Sequence, residues 1–300
     1  MTERNARAAM TVSAVLAAVV LHAGVVAQSP PPRPPITGID HVAFRVSDRA
    51  AARRFYREVV GLSERGATRE GLLIFAVGAS QALQVGPGLP GPPGNDERLS
   101  HVALATPDVE ALKRYLAARQ VKAEPASGEC AGNAIRVTDP DGHSIEFVQV
   151  EWPRVSAPAD VARGGLALSS RLLHAGLIVR DEQAAHAFYR DILGLSEIWR
   201  GGSRAGVTSW VNMRLPEGTD YIEYMLQADA PDRRQRGVLH HICLRVPDIQ
   251  EAWNTVAARS VAAGQKAPAP PSVGRNGKWQ LNLYDPDGTR VELMEPFTTR

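Results

Sequence analysis

Alternating apolar and polar positions predict half-buried strands at four places in the chain. In the stretch 41–46 every second residue is large and apolar, and the positions between hold a histidine, an alanine and an arginine. The stretch 241–246 repeats this order, with a cysteine in place of the alanine. A period of two with one apolar face is typical of a strand that buries one side. Similar stretches begin at His101 and His174.

A helix is predicted after two of these strands. Asp48 and Asp181 stand where a helix N-cap belongs, and Ala51, Phe55 and Val59 follow the first of them at helical spacing. Each of these stretches then reaches a glycine that suits a helix end, because glycine readily takes a positive φ. These glycines are Gly61 and Gly194.

The chain repeats itself as four modules in the order A, B, A′, B′. Modules A and A′ share a leading histidine, then Phe-Tyr-Arg and Gly-Leu-Ser at the same offsets, over 41–63 and 174–196. Modules B and B′ close with Asp-Pro-Asp-Gly, at 139–142 and 285–288, which suits a tight turn before a last strand. The modules begin near Ile39, Leu99, Leu172 and Val238. The segment 152–169, rich in Ala, Pro and Gly, is the natural boundary between the halves.

Composition narrows the classes of partner. The 300 residues suit about two domains, and 44% hydrophobic residues are enough for sizeable cores. A net charge of +2, with no stripe of Lys and Arg, gives no support for nucleic acid as a partner. Cys130 and Cys243 fall in no metal-type pair; we interpret both as core thiols, with a single bridge between them left open.

The first residues predict export. Arg4 and Arg7 precede an uncharged apolar stretch that ends in Val-Val-Ala at 25–27, which is typical of a cleaved signal peptide over 1–27. A Pro-rich segment then predicts a stiff linker over 28–37. The alternative is an uncleaved membrane anchor, since about 20 apolar residues can span a bilayer. Both interpretations place the folded part outside the cytoplasm, periplasmic or secreted, and only the anchor would bring membrane contact.

Each module carries one polar residue of ligand type on its first strand and one on its last. All stand opposite the bulky apolar residues, so they gather on one concave face if helices cover the other. Histidine and carboxylate side chains gathered in this way form a metal site by their chemistry, and they suit Zn, Ni, Co, Fe or Mn. The first strands give His41, His101, His174 and His241, and the last strands give Gln84, Glu146, Glu223 and Glu292.

These motifs resemble the vicinal oxygen chelate superfamily, which includes glyoxalase I, extradiol dioxygenases, methylmalonyl-CoA epimerase and bleomycin resistance proteins. The resemblance covers nearly all of residues 38–297. It implies an α+β fold of four βαβββ modules, which form two glyoxalase-like domains with cupped mixed sheets at 38–151 and 170–297. In that family the metal takes one ligand from the first and last strands of each paired module.

The resemblance also implies two ligand sets, each for one divalent ion, and leaves open whether one half works or both. The second half carries His174, Glu223, His241 and Glu292, the set that resembles bacterial glyoxalase I. The first half carries His41, Gln84, His101 and Glu146, which resembles the set of methylmalonyl-CoA epimerase.

The implied function is a metal-dependent lyase or isomerase acting on a small molecule. The metal would chelate two vicinal substrate oxygens and stabilise an enediolate as a Lewis acid. Glu223 or Glu292 would move a proton between adjacent carbons. Arg45 and Arg245 share the ligand side of their strands, where they either bind an anionic substrate or are plain surface charges.

Two other functions stay open, as does a homodimer. The stretch Val-Leu-His-His-Ile at 238–242 resembles a signature of extradiol dioxygenases, which bind Fe(II) with two histidines and one glutamate. Glu223 would then be surplus, and the region 201–220 has no histidine to supply the further one that those enzymes use. The third interpretation is a non-catalytic binder similar to bleomycin resistance proteins, although those lack such a ligand set.

Overall fold

The computed structural model describes residues 31–68, 71–88, 98–126, 133–151, 167–227 and 230–298. The predicted signal peptide, Cys130 and most of the predicted boundary segment lie outside these residues. Within the described ranges, no helix is both long and apolar enough to cross a membrane.

Sixteen strands of the described chain form two mixed sheets, one from each half. The first half contributes β1 (Gly38–Val46), β2 (Ser63–Ala67), β3 (Leu73–Val77), β4 (Gln81–Pro87), β5 (Leu99–Thr106), β6 (Glu124–Pro125), β7 (Ala134–Thr138) and β8 (Ser144–Gln149). The second half contributes β9 (Leu172–Val179), β10 (Ser196–Gly201), β11 (Trp210–Arg214), β12 (Tyr221–Leu226), β13 (His241–Arg245), β14 (Ser272–Val273), β15 (Lys278–Tyr284) and β16 (Arg290–Thr298).

The two sheets have the same topology. The first runs β2-β3-β4-β1-β5-β8-β7-β6 and the second runs β10-β11-β12-β9-β13-β16-β15-β14. In each, the opening strands of two successive modules pair antiparallel at the centre, and each is flanked by the last strand of its own module in parallel. The predicted α+β fold of four modules in two domains is therefore confirmed.

Five α-helices and two π-helical segments accompany these sheets in the described residues. They are α1 (Arg49–Arg54), α2 (Val109–Ala118), α3 (Glu182–Ala185), α4 (Arg233–Leu239), α5 (Ile249–Ala262) and the π-helical segments Phe55–Val59 and His186–Ile192. The carboxylates of Asp48 and Asp181 accept backbone N–H bonds at the starts of α1 and α3, as predicted for N-caps. Gly61 and Gly194 both have φ 81°, as the predicted helix ends require.

The helix after each opening strand differs from the regular one that the spacing predicts. After Arg54 and after Ala185 the helix widens, and the N–H of Val60 and of Leu193 bond the carbonyls of Phe55 and Phe188, five residues earlier. A π-turn of this kind is uncommon and costs regular helix hydrogen bonds, so sequence spacing does not reveal it.

The two halves share one continuous apolar core, and a matched pair of hydrogen bonds crosses between them. The hydroxyl of Tyr56 donates to Asp285 at 3.1 Å, and the hydroxyl of Tyr189 donates to Asp139 at 2.8 Å. All four residues are buried. The Asp-Pro-Asp-Gly turn of each half is thus held by the Phe-Tyr-Arg tyrosine of the other half.

The end of the predicted linker is not a free spacer. The guanidinium of Arg33 binds the carboxylate of Glu217, and the N–H of Ile36 donates to the same carboxylate at 2.7 Å. Ile36 is fully buried. The described part of the segment therefore packs against the second half, because Ile36 supplies the apolar anchor that the proline pattern alone does not indicate.

Candidate metal centre

Four neighbouring strands in the middle of the second sheet each carry one predicted ligand. In spatial order β12, β9, β13 and β16, they present Glu223, His174, His241 and Glu292. Glu223 and His241 both pair with Gly176, while His174 and Glu292 both pair with Cys243. Because paired residues and residues two apart share a face of the sheet, this register brings the four side chains together.

The four ligand atoms surround one point. The Nε2 atoms of His174 and His241 lie 3.0 Å apart. An Oε2 atom of Glu223 lies 3.6 Å from the first of these nitrogens and 3.2 Å from the second. The corresponding distances from Glu292 are 3.5 and 3.6 Å. All four residues are buried.

These separations suit a first-row metal ion. Nitrogen and oxygen donors at about 2.0–2.2 Å from such an ion lie about 2.9–3.5 Å from one another, whether the geometry is octahedral or tetrahedral. Two imidazoles with two carboxylates fit Zn, Ni, Co, Fe or Mn. The residues present therefore fit the ion that the sequence predicts.

The ring of His241 is held in the orientation that a ligand needs. Its Nδ1 lies 2.9 Å from the carbonyl of Leu239, which favours the tautomer with the proton on Nδ1 and the lone pair on Nε2. Nη2 of Arg290 lies 2.7 Å from the same Nε2. The ring lies over Gly176, where any side chain would overlap it. The ring of His174 stacks on Tyr221 with centroids 4.6 Å apart.

The electrostatic environment keeps the ligands in their binding forms. Burial lowers the pKa of His241 well below its ordinary value, and the nearby Arg290 lowers it further, so the imidazole is neutral. Burial raises the pKa of Glu292, but the bond to His174 and the charge of Arg290 outweigh it, and the net pKa is lowered. Glu292 is thus ionised at neutral pH.

Cys243 stands among the ligands but remains a thiol. It is a free, fully buried cysteine that packs against Tyr221 and Met294. Burial raises the pKa of its thiol well above the ordinary value, and the carboxylates of Glu292 and Glu223 raise it further. Only a thiolate is a strong metal ligand, so Cys243 acts as a core residue, as the sequence predicts.

The first sheet repeats the arrangement with a poorer donor set. His41, His101 and Glu146 come together. The Nε2 atoms of the two histidines lie 2.9 Å apart, and Oε2 of Glu146 lies 3.9 Å from Nε2 of His101. Gln84 pairs with Ala43, the register position that Glu223 holds in the second sheet. The structure therefore places all eight predicted ligands in equivalent positions.

Two arginines change the charge of the first site. Arg136 lies opposite Glu146 on the neighbouring strand, and its Nε and Nη2 bind Oε1 of that carboxylate at 3.0 and 2.6 Å. Burial, followed by the charges of His41, Arg136 and Arg45, lowers the pKa of His101 to about 3. With one carboxylate already paired and a neutral amide at Gln84, this site attracts a cation less than the second does.

A cavity of about 240 Å³ adjoins the second site. Both carboxylate ligands line it, and its walls come from the outer strands at the two ends of the sheet. The other residues used below are Trp199, Trp210, Arg275 and Arg290. Periodicity did not single out any of these four; the nearest signal is that Arg290 stands two positions before Glu292, on the same face of one strand.

The two arginines that the sequence suggested for substrate binding do not line this cavity. Arg245 lines a separate cavity with Asp248 and Glu251, at the start of α5. Arg45 belongs to the first half, close enough to His101 to lower its pKa. Alternation placed both on the ligand side of their strands, which does not decide which side chains reach the cavity.

Comparison with known proteins matches the chain twice to one family. The sequence model of the Glyoxalase/Bleomycin resistance protein/Dioxygenase superfamily covers residues 38–147 and 171–293. An ethylmalonyl-CoA/methylmalonyl-CoA epimerase from Cereibacter sphaeroides is 31% identical over an alignment of 137 residues, and the match covers 42% of this chain and 97% of the epimerase.

Solved structures of similar fold include ring-cleaving dioxygenases. The 2,3-dioxygenase LapB from Pseudomonas sp. KL28 has a TM-score of 0.69 at 15% identity, covering 90% of this chain and 96% of its own. Homoprotocatechuate 2,3-dioxygenase from Brevibacterium fuscum, as its E323L mutant, has a TM-score of 0.68 at 19% identity, covering 89% and 74%. At these identities the likeness is one of fold.

Proposed function

The chain belongs to the Glyoxalase/Bleomycin resistance protein/Dioxygenase superfamily, and from this premise we propose that its second half is a metal-dependent isomerase or lyase. It moves a proton between adjacent carbons of a small molecule bound through two vicinal oxygens. The observation that carries this proposal is the donor set: two imidazoles and two carboxylates around one point, beside a cavity. The epimerase relative supports it, since an epimerase also moves a proton at carbon.

The roles divide among the four ligands by their surroundings. A bound divalent ion would act as a Lewis acid toward two substrate oxygens. His174 and His241 would hold it, because Tyr221 stacks on the first ring and the Leu239 carbonyl bonds the second. Glu292, which bonds His174 and is ionised, would be the third ligand. Both glutamates line the cavity, and Glu223 is the base because its side chain is 11% exposed against 5% for Glu292.

Glu223→Gln tests this division. The protein is loaded with Zn²⁺, Ni²⁺, Co²⁺ or Mn²⁺ and incubated in D₂O with 2-hydroxy acids, 2-oxo acids and a methylmalonyl thioester, and deuterium at carbon is followed by proton NMR. We expect deuterium exchange in the wild type. In Glu223→Gln the exchange rate should fall by about 10²–10⁴-fold, as for removal of a general base, while the metal is retained. Glu292→Gln should lose metal. Equal exchange by wild type and Glu223→Gln would remove Glu223 from the role of base.

The second candidate is an Fe(II)-dependent ring-cleaving dioxygenase. It is favoured by the likeness of fold to LapB, which covers 90% of this chain and 96% of LapB. The second carboxylate, Glu223, counts against it. The remaining described histidines of this half also lie elsewhere: His240 packs on His143, and His186 pairs with Glu182.

Oxygen uptake separates the two candidates. The Fe(II)-loaded protein is mixed with catechol and with homoprotocatechuate, and uptake is measured with the absorbance of ring-opened products. A dioxygenase would consume oxygen and keep most of its activity in Glu223→Gln. A protein without exchange and without uptake, but with a bound metal, would be a small-molecule binder.

A further inference from the structure

The cavity beside the second metal centre is lined by two indole rings on one wall. Trp199 on β10 and Trp210 on β11 both face it and are half-buried. The indole of Trp199 covers Gly201, at a position where a side chain would overlap the ring. Indole faces set against a cavity favour planar, apolar groups, with ring contacts at about 4.5–7 Å between centroids.

Arg290 supplies a positive charge to the lining of the same cavity. It precedes Glu292 by two residues on β16, and its Nη2 lies 2.7 Å from Nε2 and 2.9 Å from Nδ1 of His241. Its Nε is buried and has no hydrogen-bond partner among the described residues. A buried donor without a partner calls for an acceptor, and a bond from a guanidinium to a carboxylate oxygen is charge-assisted and therefore strong.

Arg275 also lines the cavity. It lies in the turn between β14 and β15, and its Nη2 donates to the carbonyl of Ser203, in the connection after β10. This bond connects loops from the two ends of the sheet. Because Arg275 is exposed and bonded to Ser203, the less exposed Arg290 is the group placed to bind an anion.

The size of the cavity limits what can enter. About 240 Å³ is below the roughly 300–1,000 Å³ of sites that enclose drug-sized ligands. A coenzyme A thioester or a glutathione conjugate would have to leave most of its atoms outside. The cavity suits a compact molecule that carries its charge next to the oxygens that reach the metal.

We propose that this cavity binds small 2-hydroxy or 2-oxo acids with a planar, aryl-type substituent. The carboxylate places one oxygen on Arg290 and the other toward the metal, beside the 2-oxygen. The ring lies against Trp199 and Trp210. The role of the 2-oxygen rests on the proposed function, whereas recognition of charge and ring belongs to the arginine and the indoles.

Mandelate is the probe for a binding test by titration calorimetry on the full chain, metal-loaded and chelator-stripped. Lactate keeps the charge and lacks the ring, and 1-phenylethane-1,2-diol keeps the ring and both oxygens and lacks the charge. We expect mandelate to bind at least tenfold tighter than either when the metal is present. In the chelator-stripped protein mandelate should bind more weakly than in the metal-loaded protein, but still more tightly than the diol.

Variants test which residues cause the preference for a charged ligand and the preference for an aromatic ring. Arg290→Gln should abolish the preference for mandelate over the diol, Arg290→Lys should restore part of it, and Trp199→Leu should reduce the preference over lactate. Arg200→Gln, an exposed arginine on the same strand as Trp199, is the matched control and should change neither. Metal content and thermal unfolding are recorded for each variant.

The outcome is separate from that of the proposed function. Equal affinities for the three probes in the metal-loaded wild type would overturn the inference, even if deuterium exchange occurs with another substrate. A preference for mandelate that disappears on stripping and is unchanged in Arg290→Gln would also overturn it, because the metal alone would then select the anion. Mandelate binding without any deuterium exchange would leave the inference standing and count against the proposed base.

Discussion

Gly176 carries no side chain, and the imidazole ring of His241 lies where its Cβ would be. An alanine there must push the ring out of line with the other three ligands. We expect Gly176→Ala to weaken metal affinity by about 10–100-fold, as for loss of a group that orients a ligand. Competition with a metal indicator measures this affinity.

Gly88→Ala is the matched control for that variant. The nearest atom to its added Cβ would be the Val46 carbonyl oxygen at 3.4 Å, and Gly88 lies in the first half. Its metal affinity should equal that of the wild type. If both alanine variants keep wild-type metal affinity, the lack of a side chain at Gly176 is not needed to position the ring of His241.

His101 gives the first site a pH-dependent effect on stability. Its pKa is about 3 when folded, mainly through burial, against an ordinary 6.5. The unfolded chain therefore binds a proton that the folded chain refuses between these values, so stability is full above about pH 6.5 and falls as pH drops toward 3. The slope from this group is at most ~1.4 kcal/mol per pH unit.

Urea unfolding of chelator-treated protein at pH 6.5 and 5.0 isolates this effect. His101→Gln removes the titrating group, so the variant should lose less stability than the wild type over this interval. Parallel losses in the two proteins would show that His101 is not a neutral, buried imidazole in the folded state.

At the residue scale, the sequence predicts the candidate metal ligands, but it does not predict the residues that surround them in space. Histidines recur at one position of four modules, and strand period two puts them on one face, so the ligand set follows from pattern alone. The Leu239 carbonyl, Arg290 and the indole of Trp199 reach the site through sheet register and loop path. Such contacts leave no periodic trace in the sequence.

At the scale of elements, the π-helical segments carry the tyrosines that join the halves. Burial raises the pKa of Tyr56 and of Tyr189, and Asp285 and Asp139 respectively raise it further, so both hydroxyls stay protonated and donate. Removing either hydroxyl leaves a buried carboxylate with one partner fewer. We expect Tyr56→Phe and Tyr189→Phe each to lower the free energy of unfolding by about 1–3 kcal/mol.

Chemical denaturation of both variants and of Tyr284→Phe tests this prediction. Tyr284 is 50% exposed, so its change should cost little. If Tyr56→Phe and Tyr189→Phe are as stable as this control, the reciprocal bonds do not stabilise the pairing of the halves.

The sequence predicts the elements where local rules apply. Alternation gives the central strands, the aspartate caps give helix starts, and Asp-Pro-Asp-Gly gives the last turn of each half. It misses α4, a short helix that begins with a capping box at Asp232, and the change to π-helix. Both involve hydrogen bonds that apolar spacing does not record.

At the scale of the whole molecule, duplication has produced two sites of one geometry and different charge. The second has two carboxylates, Glu223 and Glu292, facing Arg290. The first has Glu146 paired with Arg136, and Gln84 in place of the other carboxylate. A divalent cation is attracted by the more negative site, so we propose that the second half holds the metal and the first half supports it through the shared core.

Metal content per chain, measured by mass spectrometry on protein purified without chelators, tests the central claim most directly. The wild type is compared with His174→Ala/His241→Ala and with the matched His41→Ala/His101→Ala, after circular dichroism shows that each is folded. We predict about one equivalent of Zn, Ni, Co, Fe or Mn in the wild type and in the first-site variant, and almost none in the second-site variant. Metal that survives loss of His174 and His241, or no metal even after reconstitution, would contradict the account.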